Sequence, residues 1–159
     1  KDLTAHGNLG ALLVGAQAWT EASWVYREAL KKDDKSGDAH VGLANALSQL
    51  GRVDEAIMEL RVAMRLKAST AQMHHLMAEL YRAKQELAVA EREIEAAIDL
   101  DPAKPAYLLT RGQIFVALGR PDDAARAFER YLKIAPPGED ASKVRRWLDG
   151  RKRNPLPGS

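Results

Sequence analysis

The chain has no cysteine, which removes disulfides, thiolate metal sites and cysteine nucleophiles together while leaving the compartment open. It has no apolar run near the roughly 18 residues of a membrane span and nothing that reads as a signal peptide. Charge imbalance is small: charged residues of both signs make up 29% of the 159 positions and leave a formal net charge of +2, so polyanions are not expected as the main partner. Aromatic residues are scarce, at 6%. In the one basic stretch, Lys143, Arg145, Arg146, Arg151, Lys152 and Arg153, only Trp147 interleaves, so a solvated basic end is expected there and not a nucleic-acid or anionic-membrane site. Enzymatic signatures are missing too, including a phosphate-cradling glycine loop, Gly-x-Ser-x-Gly, His-Glu-x-x-His and any carboxylate pair isolated among apolar residues. Asp122 and Asp123 stand together at a helix start, where they favour the dipole. Neither catalysis nor a cofactor is expected of this chain.

What the chain does contain is a hydrophobic fraction of 46%, ample for a core at this length, and a period. Ala22, Ala56, Ala90 and Ala124 recur every 34 positions. A frame starting at Leu3, Gly37, Ala71 and Pro105 brings four segments into register without an insertion: 3–36, 37–70, 71–104 and 105–138. Small residues also fill the eighth place, Gly10, Ala44, Ala78 and Gly112, and two helices approach closely only where both are small. Larger apolar residues surround them: Leu9, Leu43 and Met77 at the seventh place, Leu13, Leu47, Tyr81 and Phe115 at the eleventh, and Tyr26, Leu60, Ile94 and Phe128 at the twenty-fourth. Spacings of three and four put these side chains on one face, so each segment reads as two amphipathic helices.

Turn signals agree with the period. Leu50-Gly51-Arg52 and Leu118-Gly119-Arg120 place glycine where a first helix ends, and Pro121 follows at the start of the second. Asp101-Pro102 and Ala135-Pro136 close the third and fourth segments. The first and third segments carry Gln17 and Gln85 in the glycine position, which predicts looser turns there. Residues 139–150 read as a capping helix, with Ala141, Val144 and Leu148 on one stripe, Trp147 beside it and Gly150 as its stop. Tyr131 replaces the small Ala29, Ala63 and Ala97 of the earlier segments, which suits the end of an array. Residues 151–159 are expected to be a disordered basic tail. The first residue is Lys1 and not methionine, from which either a leader removed by processing or a segment of a longer protein is expected.

The pattern resembles the tetratricopeptide repeat: a large residue at place 4, Leu at 7, Gly or Ala at 8, aromatics at 11 and 24, Ala at 20 and 27, and Pro at 32. The fourth segment matches through Leu108, Gly112, Phe115, Ala124, Phe128 and Pro136, and the third through Met77, Ala78, Tyr81, Ala90, Ile94, Ala97 and Pro102. Arg111 departs from leucine, Ala68 and Asp34 from proline, and histidine takes place 4 three times. The resemblance implies an all-α fold, a right-handed α-solenoid of antiparallel helix pairs, as a single domain over 3–150. It also implies a non-catalytic interaction module that binds a protein or peptide.

In that family, places 2, 5, 9 and 12 of the first helices line the concave surface. By resemblance the groove holds Asp38, Val41, Asn45 and Ser48 from the second segment and Gln72, His75, Glu79 and Arg82 from the third. Leu109, Gln113 and Val116, with Ala106, come from the fourth, and Thr4, Gly7, Ala11 and Val14 make a shallow apolar wall in the first. The groove should be polar at its centre and apolar at both ends. The places used by family members that clamp a chaperone's C-terminal carboxylate hold Gly7, Ala11, Gly42, Gln72 and Leu76 in one frame and Val41, Asn45, Leu76, Ala106 and Thr110 in the other. Only Asn45 fits, so no carboxylate clamp is expected. His6, His40 and His74 recur at the period, but neighbouring helices stand roughly 8–10 Å apart while zinc ligands lie about 2 Å from the metal, which favours packing histidines over a metal site. His75 and Glu79, one turn apart, read as a hydrogen-bonded groove pair. The alternative function is a structural or self-assembling block that packs through an uncapped N-terminal edge, motivated by Trp24 and the apolar first helix.

Overall fold

The computed structural model describes residues 2–66 and 69–153. Among them are α1 (Asp2–Gly15), α2 (Trp19–Lys32), α3 (Gly37–Gln49), α4 (Val53–Leu66), α5 (Ala71–Ala83), α6 (Leu87–Leu100), α7 (Pro105–Ala117), α8 (Pro121–Ile134) and α9 (Glu139–Arg153), with no strand. Helix starts repeat at the sequence period. Ala22, Ala56, Ala90 and Ala124 are each the fourth residue of a second helix and each fully buried. Their amides donate to the equivalent carbonyls of Ala18, Arg52, Glu86 and Arg120.

The helices start where local chemistry allows. Ser36 and Thr70 side chains accept from the amides of Ala39 and Met73, both at 3.3 Å, as N-caps of α3 and α5. Pro105 and Pro121 open α7 and α8, where a missing N–H is harmless. All four hairpin turns are the same Schellman turn. Gly51 and Gly119 lie at φ 73° and 68°, and Gln17 and Gln85 take the same left-handed conformation at 58° and 62°. In each turn the residue at that position donates to the carbonyl three back and the next residue to the carbonyl five back, as in Gly51 to Ser48, Arg52 to Leu47, Gln85 to Arg82 and Glu86 to Tyr81. Contrary to the expectation of looser turns, the glutamine turns are as tight as the glycine ones, because the flanking hairpin sets the closure.

Each first helix packs on its own second helix, and each second helix packs on the next first helix. First helices also approach one another, α1 to α3, α3 to α5 and α5 to α7, whereas among the described residues no second helix comes within 8 Å Cα–Cα of another second helix. Hairpins closer on one side than the other must curve, so the array is a right-handed α-solenoid with the first helices on its concave side. The crossings are tight. A Cβ on Gly10 or Gly42 would come within 2.5 or 2.2 Å of the Tyr26 ring, so this aromatic is seated on two bare backbones, one in its own hairpin and one in the next. Arg111 is tolerated at a leucine place because its guanidinium sits 5.2 Å from the Phe115 ring centroid and stands at ion-pair distance from Glu95, Nε to Oε1 2.7 Å, although that buried Nε makes no hydrogen bond.

Two expectations at the C-terminus change. α9 does not stop at Gly150 but continues to Arg153, so residues 151–153 are helical and not part of a disordered tail; residues 154–159 lie outside the described residues. Arg151 ties the helix end back to the preceding hairpin through the Pro121 carbonyl and Asp122 Oδ1, the latter at 2.6 Å, and its guanidinium lies 5.6 Å from the Trp147 ring centroid. That tether compensates for the helix-weakening glycine.

Candidate functional site

Among the described residues the concave face carries a pair of hollows that share Asp38, on either side of α3, and a further hollow beside α9. The first, about 440 Å³, lies between α1 and α3 and is lined by Gly7, Asn8, Ala11, Tyr26, Ala29, Ser36, Asp38 and Ala39. The second, about 210 Å³, lies between α3 and α5, with Asp38, Val41, Asn45, Leu60, Thr70, Gln72, Met73 and Leu76. The third, about 270 Å³, is formed by Leu109, Gln113 and Val116 of α7, Phe128 of α8 and Asp140, Lys143, Val144 and Trp147 of α9. It is open because α9 docks on α8 yet does not approach α7 as one first helix approaches the next. Trp147 forms its floor, edge-on to Phe128 at 5.1 Å between centroids.

The structure thus brings Asp38, Val41, Asn45 and Gln72 together in one hollow and Leu109, Gln113 and Val116 in another. His75, Glu79, Arg82 and Ser48 line none of the three. His75 closes the α5–α7 seam: its Nε2 shares a 2.9 Å hydrogen bond with Thr110 Oγ1, and its ring packs 4.8 Å from that of Tyr107. Glu79 stands 3.8 Å from the same nitrogen, too far for the expected hydrogen bond, so the partner of His75 is Thr110 and not Glu79. Burial holds the His75 imidazole below its ordinary 6.5, against the opposing pull of Glu79. Arg82 has a buried Nε with no hydrogen-bond partner.

Sequence reasoning missed α9's contribution to the groove. Lys143, Val144 and Trp147 line the third hollow, and the available signal is the stripe Ala141, Val144, Leu148, which by itself reads only as a cap. The expected apolar N-terminal wall is interrupted by Asn8, Ser36 and Asp38, which line the first hollow beside Gly7 and Ala11; the side chain of Thr4 lies outside the described residues. His40 and His74 do not act between neighbouring first helices. Each pairs with a glutamate of its own hairpin, Nδ1 of His40 with Glu59 at 2.5 Å and Nδ1 of His74 with Glu93 at 2.7 Å. Among the described residues no three His, Asp or Glu side chains gather as a metal ion would need, and no helix is long and apolar enough to cross a membrane.

Comparison with known proteins gives one answer. Two sequence models, both described as tetratricopeptide repeat, match residues 5–80 and 77–149. Human tetratricopeptide repeat protein 13 is 30% identical over 90 residues, covering 57% of this chain; the chain spans about a tenth of that relative's length. Among solved structures, that of Pseudomonas aeruginosa pilF superposes with a TM-score of 0.82 at 20% identity, covering 95% of this chain and 69% of the other. YrrB, described as a TPR protein with an unusual peptide-binding site, gives 0.75 at 18% over 95% and 78%, and MamA 0.74 at 17% over 91% and 94%. Hairpins that keep a 34-residue period from sequence into structure, matched together over residues 5–149 by two models of one kind, place the chain in the tetratricopeptide repeat family, whose fold is suited to scaffolding protein–protein interactions.

Proposed function

We propose that this chain is a non-catalytic binding module whose concave face receives an extended or helical peptide segment of a protein partner. The observation that carries the reading is the asymmetry of the groove. An apolar hollow with an aromatic floor lies at its C-terminal end, a smaller polar-rimmed hollow lies between α3 and α5, and Glu79 and Arg82 of α5 stand between them. An apolar anchor of the peptide enters the α7–α9 hollow, where water is displaced from Leu109, Val116 and Trp147. Neighbouring polar groups of the peptide meet Glu79, Arg82 and Gln72, with Asp38, Asn45 and Gln113 offering further side-chain hydrogen bonds. YrrB, a fold neighbour, is described as having a peptide-binding site, which supports the class of ligand without specifying its sequence. Chaperone carboxylate tails are not the proposed ligands, because the groove lacks converging lysines and arginines.

The test is selection from a random peptide library displayed on phage, followed by titration of the recovered peptides. Peptides with an apolar anchor should predominate. Arg82→Glu or Glu79→Lys should each weaken binding by about tenfold or more, since charge-assisted hydrogen bonds contribute about 1.5–3 kcal/mol, and Val116→Asp should weaken it similarly by putting a charge where the apolar anchor sits. Helicity and melting temperature should hold. Binding unchanged in all three variants would refute the groove assignment.

A further inference from the structure

Among the described residues a further hollow lies away from the groove, at the end of the last hairpin opposite its turn. It measures about 410 Å³ and is lined by Pro102 and Ala103 of the α6–α7 connection, Leu108 of α7, and Arg130, Lys133 and Ile134 of α8. None of these lines a concave hollow. Its apolar part arises where the fourth hairpin departs from the two before it. In those, place 4 of the repeat is a histidine paired with a glutamate at place 23, His40 with Glu59 and His74 with Glu93. The fourth hairpin has Leu108 and Ala127 at these places, both buried, so the polar pair is replaced by hydrocarbon. Ile134, 45% exposed, continues that surface outward.

The rim is basic. Places 26 and 29 hold Glu28 and Lys31, Val62 and Arg65, and Ala96 and Asp99 in the first three hairpins, but Arg130 and Lys133 in the last. Both are exposed and, among the described residues, neither forms an ion pair. Cations nearby in the chain are matched: Arg120 with Glu91 and Asp123, Arg126 with Asp123, Lys143 with Glu139 and Arg151 with Asp122. Of the carboxylates closest in sequence, Asp101 accepts from the Ala103 amide at 3.3 Å through Oδ1, and Glu129 is not among the lining residues. Lys104 brings a third cation beside Ala103, where α3 and α5 carry the capping Ser36 and Thr70.

We infer that this hollow docks an acidic segment of a protein partner in which one bulky apolar side chain stands between carboxylates. The apolar side chain enters between Pro102, Leu108 and Ile134, and the carboxylates meet Arg130 and Lys133 on the rim. A bilayer is met by apolar groups that protrude, and this face is recessed. No aromatic ring lines the hollow, so a nucleic-acid base has nothing to stack on. The site shares no lining residue with the groove and is independent of the peptide reading of that face.

The probe is an unlabelled heptapeptide, capped at both ends, with one leucine between two pairs of aspartates, titrated into the 159-residue chain by calorimetry. It should bind about tenfold or more tightly than the same peptide with asparagines for the aspartates or serine for the leucine. Combining Arg130→Glu with Lys133→Glu should weaken binding by about tenfold or more and should allow a peptide with lysines in place of the aspartates to bind instead, an exchange that mere loss of structure does not produce. Val116→Asp, in the groove, should leave the affinity for the aspartate peptide unchanged. Equal affinity for the aspartate and asparagine peptides overturns the proposal, as does a loss caused by Val116→Asp, which would put the peptide in the groove. Binding of phosphatidylserine vesicles but not of the peptide, abolished by the double charge reversal, would overturn it in favour of a lipid surface.

Discussion

Gln17 and Gln85 occupy a backbone region that costs an L-residue about 1–2 kcal/mol and glycine nothing, against roughly 0.5–1 kcal/mol that glycine loses in unfolded-state freedom. Gln85→Gly should therefore stabilise by about 0.5–1 kcal/mol, read as a higher urea midpoint at constant slope, while Gly51→Gln should lose a similar amount. The opposite kind of limit rules the crossings. Ala56 is fully buried where α3 and α4 close, and a Cβ on Gly112 would lie 2.2 Å from Phe128 Cε1. Ala56→Leu and Gly112→Ala should each cost about 1–3 kcal/mol by overpacking, measured by the same denaturation. A neutral result at either place would mean that the hairpins are not as close as described. The exposed ion pairs, such as Lys84 with Asp54 at 2.8 Å, are expected to add little, because water and salt screen them.

At the scale of elements, the α5–α7 seam depends on one titrating side chain. His75 is held neutral by burial, its folded pKa lying below the ordinary 6.5. A group depressed in this way contributes stability that is fully present above 6.5 and is lost as pH falls through the folded value, because the unfolded chain then binds the proton first. Unfolding free energy should decline below pH 6.5, and His75→Gln, which can still bond Thr110 but does not titrate, should flatten that decline. Denaturation at stepped pH checks it; an identical slope in the variant would remove His75 as the cause. α9 is an element with two tasks, since the residues that cap α8 also build the apolar end of the groove.

For the whole molecule, stability in a stacked array is a sum over hairpins and their contacts with neighbours. Ending the chain after Gly138 should uncover Phe128 and Tyr131, at about 1.5–3 kcal/mol each, and so destabilise by about 3–6 kcal/mol. Calorimetry reads that loss, and light scattering should show association through the bared α8 face. A melting temperature unchanged by the truncation would mean that α9 does not cap the array.

The sequence by itself determined the repeat, because a 34-residue period states which side chains share a helix face and where each helix must end, and those are local matters of spacing, turn residues and small-residue contacts. It also named the first-helix positions that line the hollows, Val41, Asn45, Leu109 and Val116 among them. Only the tertiary structure decided which neighbours meet across elements: Thr110 and not Glu79 for His75, α9 as a groove wall, and the left-handed glutamines held in tight turns. Periodicity repeats a position's identity but not its surroundings. What a residue touches depends on the hairpin before it and after it, and at the two ends of an array those differ.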